Sequence, residues 1–212
     1  MTTLLSRRST LALAALALLV ATQPALAGPP LLCHPFDIGT STSLPWDGSR
    51  GWKGMRTDYD LSRLAPDTLA LLTPSTPVIV RMEALRRAAL YATLDASAAR
   101  ALTAALMNRA KTAGPGGKPD TLAFFDAGYF AETLEQAAPM SSHAGKIAAD
   151  IDGYAMVRTS LAQSGNDPAI EFAAALISAH PARGTYDEHA RRARAGVSTD
   201  ALLARNIDQL GR

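Results

Sequence analysis

The stretch His143–Pro181, HAGKIAADIDGYAMVRTSLAQSGNDPAIEFAAALISAHP, decides the fold class. Ile147, Ile151, Tyr154, Ala155, Leu161 and Ala162 recur at spacings of three, four and seven, which places them on one helical stripe, while Asp150, Asp152, Thr159 and Gln163 fall off it. The turn Gly165-Asn166-Asp167-Pro168 ends that helix and begins a second. Asp167 stands where a carboxylate accepts orphan first-turn amides, and Pro168 where a missing amide costs nothing. From Ala169 to Ala179 only Glu171 and Ser178 are polar, so the second helix must be covered on several sides, and His180-Pro181 stops it. The stretch predicts two antiparallel helices.

Almost everything else after residue 77 repeats this plan. A short helix spans 65–72, and a helix over 77–93 buries Val78, Met82, Leu85, Ala89 and Ala92, with Arg81, Arg86 and Arg87 off that stripe. Asp95 caps the next helix, whose Ala98, Leu102, Ala105 and Leu106 share a face. Beyond the loop 114–119, Asp120 caps a helix carrying Ala123, Ala127, Phe130, Ala131, Leu134 and Ala138, and 139–145 breaks it. Thr185-x-x-Glu188 reads as a capping box, and Ser198 or Thr199 starts a last helix through Leu210. No strand pattern competes, so 60–212 is expected to be an all-α domain of about seven helices in antiparallel hairpins.

Hairpins recurring at intervals of a few tens of residues suggest a stacked repeat array. Phe124, Ala127, Gly128 and Ala131 occupy the four places of the W-x-x-L-G-x-x-Y helix of tetratricopeptide repeats, and Ala169 and Pro181 have the separation of its second helix. On these residues the chain resembles tetratricopeptide-like proteins. The resemblance implies a groove between stacked helices that binds a protein or peptide. The stretch LLCHPFDIGTSTSLPW at 31–46 is similar to the start of certain uncharacterised secreted bacterial proteins, which implies export and no particular activity.

Residues 1–27 read as an export leader: Arg7 and Arg8, an apolar run from Leu11 to Ala21, and Ala25-Leu26-Ala27 as a small-x-small cleavage site. The mature chain then begins at Gly28 in a periplasm or outside the cell. The loss of Arg7 and Arg8 takes the 21 basic residues to 19, equal to the 19 acidic ones, so charge gives no argument for nucleic acid or a membrane surface. No later run is long and apolar enough to span a bilayer, and with Cys33 as the single cysteine no internal disulfide forms.

Residues 28–59 are rich in Gly, Pro, Ser and Asp and lack a period, yet they hold Phe36, Trp46, Trp52 and Tyr59. This predicts an irregular but ordered arm. Its aromatics either plug it onto alanine-rich helix surface, the reading preferred here, or form a binding platform for a sugar or peptide. Cys33, His34 and Asp37 are the one constellation with metal-ligating chemistry, but no further Cys or His spacing completes it. The simpler reading is a buried thiol, with His34 and Asp37 bonded to loop backbone. His143, His180 and His189 read as loop or helix-end residues, Glu83, Glu132, Glu135 and Glu171 as helix-surface carboxylates, and Arg191, Arg192 and Arg194 as a solvated face. No cofactor is expected. The sequence points to an exported, non-catalytic helical-repeat protein with a protein or peptide partner; the competing class is a small metal- or thiol-dependent protein centred on Cys33, His34 and Asp37.

Overall fold

The computed structural model describes residues 28–48, 51–112, 120–179 and 184–211; the expected leader, the loop 114–119, and His180 and Pro181 lie outside them. Among the described residues there are ten α-helices and no strand. They are α1 (Pro30–Cys33), α2 (Leu64–Leu71), α3 (Val78–Ala92), α4 (Ala96–Lys111), α5 (Thr121–Gln136), α6 (Ser142–Ala148), α7 (Gly153–Gln163), α8 (Pro168–Ser178), α9 (Tyr186–Ala195) and α10 (Ala201–Asn206). No helix is long and apolar enough to cross a membrane.

Three starts are set by aspartates as the sequence predicts. Asp95 accepts from the Ala98 amide at 2.7 Å, Asp120 from Ala123 at 3.1 Å, and Asp167 from Ala169 at 2.8 Å and Ile170 at 3.3 Å; each such cap contributes about 1 kcal/mol. The turn before α8 also holds, with Gly165 and Asn166 in the left-handed region and the Asn166 amide closing onto the Leu161 carbonyl at 3.1 Å.

The single helix expected through the stripe from Ile147 to Ala162 divides into α6 and α7. Asp152 caps the Ala155 amide at 2.9 Å, and Glu132 reaches across from α5 to take the Tyr154 amide at 2.7 Å, so a new helix begins where an aspartate pair would burden the C-terminus of the old one. The buried face shifts accordingly to Gly153, Val157, Ser160 and Leu161, leaving Ala155 and Ala162 exposed. Two further starts differ. The Thr185 hydroxyl makes no cap to α9, and Asp200 starts α10 in place of Ser198 or Thr199. These breaks, with the short α1 and α10, raise the helix number above seven.

The core lies around α3, α5 and α8. Every residue of α3 except Arg87 is buried, as is every residue of α8 after Pro168. α3 touches α1, α2, α4, α5 and α8, while α5 packs most closely on α7 and α8 on α9. Gly128 and Gly153 permit the α5–α7 crossing: a Cβ on either would stand 2.5 Å from the carbonyl oxygen of the other. Leu31, Leu32, Phe36 and Leu44 join this core, and Phe36 meets Phe172 edge-on at 6.1 Å between ring centres.

Candidate functional site

A helix covered on all sides must account for its charges, and α3 carries Arg81, Glu83, Arg86 and Arg87. Arg81, Glu83 and Arg86 have 0% exposure, which overturns both the off-stripe arginines and the surface-carboxylate reading of Glu83. The Glu83 carboxylate accepts two bonds from Arg86 at 2.8 and 2.9 Å, one from Arg87 at 2.7 Å and one from the Phe36 amide at 3.0 Å. The arginines then reach outward to backbone: Arg86 to the Leu32 carbonyl at 2.9 Å and Arg87 to the Leu44 carbonyl at 2.7 Å. Tyr91 donates to the Pro45 carbonyl at 2.7 Å and accepts from the Arg56 amide at 2.9 Å. An irregular segment has no ladder of its own to satisfy its carbonyls and amides, and here α3 side chains satisfy several of them.

The four predicted aromatics divide between three settings. Phe36 is buried against α8. Trp46 is half-buried, 5.2 Å from the Arg86 guanidinium and 5.3 Å from that of Arg87, with Tyr91 edge-on at 6.2 Å. Tyr59 lies 4.6 Å from Tyr91 and donates to Asp67 at 3.0 Å, and burial pushes its phenol well up. Trp52 is 42% exposed beside the Lys53 ammonium. Trp46 therefore rests on guanidinium groups where an alanine trough was expected, because α3 presents arginines to that part of the segment.

Cys33, His34 and Asp37 are not gathered into a ligand set: among the described residues no three His, Cys, Asp or Glu side chains are placed to hold a metal ion. Burial pushes the Cys33 thiol up, with Arg86 opposing, so at neutral pH it is protonated and a poor nucleophile. Asp37 serves backbone geometry. Its carboxylate accepts from Gly39 at 2.9 Å and faces Arg205 at 3.6 Å, while its own amide and carbonyl are both held by the Asn206 side chain, at 2.8 and 2.9 Å. Gln209 adds a bond to the Pro35 carbonyl at 3.2 Å.

Arg81 pairs with Asp126 of α5 at 2.6 Å, both side chains wholly buried, and Arg81 also donates to the carbonyls of Thr76 and Thr73. Among the described residues Asp126 Oδ1 has no partner. Burial pushes this carboxyl up from 3.8 to about 6, against the pull of Arg81. Because the folded value is the higher, the stabilising proton is fully in place below about pH 4 and is lost as pH rises through about 6. Unfolding free energy of the wild type, measured against Asp126→Asn from pH 3 to 7, should fall by about 3 kcal/mol over that window and then stay level. A pH-independent difference would show that the carboxylate is ionised throughout.

A second polar cluster joins α7, α8 and α9. Glu171, 0% exposed, is bonded through Oε2 to His189 Nδ1 at 2.5 Å and through Oε1 to Arg192 Nη1 at 3.1 Å. His189 Nε2 lies 2.8 Å from the Tyr154 hydroxyl, which lies 2.8 Å from Thr185 Oγ1. The sequence reading placed Glu171 on a helix surface and His189 in a loop or at a helix end; both are buried. A signal was present in the sequence: a lone carboxylate in a helix apolar nearly all round needs a partner from outside that helix.

Where the end of α5 meets the α6–α7 corner, a recess of about 400 Å³ opens, lined by Glu132, Glu135, Ala148, Ala149, Asp150, Ile151 and Asp152. Glu132 is buried there as the cap of α7, against its expected surface position, while Glu135 is exposed. Compared with known family models, with curated proteins and with solved structures, the chain matches none.

Proposed function

We propose that this chain is an exported, non-catalytic helical protein that binds a protein or peptide partner through a basic side chain. The observation that carries the reading is the recess at the α5 end, with Glu135, Asp150 and Asp152 at its lip and Ala148, Ala149 and Ile151 beside them. Its size suits the stem and cationic head of one lysine or arginine from an extended segment, which would lay methylenes on apolar wall and charge among carboxylates. The finer form of the proposal is a short array of stacked hairpins of tetratricopeptide-like type, with 28–59 as an arm across it, in a periplasm or outside the cell.

An arginine-containing hexapeptide should bind weakly and lose affinity with added salt, and its glutamate counterpart should not bind. Reversing two carboxylates in Glu135→Lys/Asp150→Lys should weaken the basic peptide about fivefold or more while the melting temperature moves by a few degrees at most, since exposed pairs contribute up to about 1 kcal/mol each. Equal binding of both peptides, or binding indifferent to the reversal, would reject the recess as the partner site.

A further inference from the structure

We propose that Glu171 and His189 make Tyr154 a nucleophile that takes up an acyl group from an activated ester, a modification site separate from the partner recess. The order of the contacts carries the argument. Glu171 Oε2 lies 2.5 Å from His189 Nδ1 and His189 Nε2 lies 2.8 Å from the Tyr154 hydroxyl, so the tautomer with its proton on Nδ1 offers the Nε2 lone pair to the phenol. Thr185 Oγ1 lies 2.8 Å from the phenol oxygen on the other side. The contacts therefore lead from the half-buried hydroxyl pair inward to a carboxylate that Arg192 also holds. A carboxylate that orients an imidazole, which in turn accepts a hydroxyl proton, is the arrangement that activates an oxygen nucleophile.

Two further features stand beside the phenol. The Arg158 guanidinium stands 6.0 Å from the centre of the Tyr154 ring. Thr185, the residue before α9, makes no side-chain cap to that helix while its hydroxyl meets Tyr154. In the step itself, the phenol oxygen bonds to the ester carbonyl carbon and its proton passes to His189 Nε2. The bond from that carbon to the leaving oxygen breaks, and the imidazolium returns the proton to the departing alcohol. Ester and phenol become acyl-tyrosine and alcohol, with no other reactant.

The test treats the full chain with p-nitrophenyl acetate, follows p-nitrophenol release and maps the acetyl group by peptide mass. One equivalent of release with acetyl on Tyr154 is expected, at a rate that levels off well below the pH of about 10 where a free tyrosine ionises. His189→Gln should slow labelling about 100-fold, the usual scale of a lost general base, and Tyr154→Phe should abolish it at that position. Acetyl spread over lysines and the other tyrosines, or Tyr154 labelling that rises only through the free-phenol range, would overturn the proposal and leave the cluster as a polar tie between helices. The pH profile is read on the unaltered protein, so a variant that misfolds does not spoil the decision.

Discussion

A chain beginning at Asp60 is expected to melt without a cooperative transition and to bind a hydrophobic dye. It would lack Leu31, Leu32, Phe36 and Leu44, all buried in the common core. Each contributes about 1.5 to 3 kcal/mol of burial, or about 6 to 12 kcal/mol together, against a total stability of about 5 to 15 kcal/mol for an ordinary domain. The ordering entropy of the missing segment is recovered and offsets part of this loss. What it leaves is a core helix opened to water: α3 loses cover, and Arg86 and Arg87 lose the Leu32 and Leu44 carbonyls. Differential scanning calorimetry decides the matter; a truncated chain that melts as sharply and as high as residues 28–212 would make the segment an appendage.

Glu83→Leu should destabilise by about 3 to 5 kcal/mol, the scale for removing one partner of a buried ion pair. Among the described residues Glu83 is the single carboxylate bonded to Arg86, which has 0% exposure and cannot rotate into solvent without dragging the Leu32 contact with it. The change also strands the Phe36 amide. Removing both charges in Glu83→Leu/Arg86→Met should recover most of the loss, because well-packed apolar residues replace a buried pair at little net cost. Denaturant midpoints for the two variants separate this from simple cavity formation: an uncompensated double variant would mean that shape, not charge, dominates there.

Much of the helical layout is legible in the residues because it is local. Asp95, Asp120 and Asp167 each act on amides two or three residues ahead, and Pro168 acts on its own position, so reading along the chain finds them. What escapes such reading depends on distant partners. Glu83 and Arg86 look like surface residues by period, and become interior ones because backbone from about fifty residues upstream closes over them. The break before Gly153 likewise depends on Glu132 from another helix, and the burial of His189 on Glu171. The aromatic segment was recognisable by composition, but which ring would stay out was not: Trp52 is exposed while Trp46, six residues earlier, is held by two guanidinium groups.

The side chains of Asn206 and Gln209 hold the backbone of Pro35 and Asp37, residues about 170 positions apart in the chain. Synthesis runs from the first of these to the last, so the early segment waits for Asn206 and Gln209 before its final contacts exist. Emergence of the central helices alone does not permit closure, and a chain stopped short of Asn206 has every central helix but no latch.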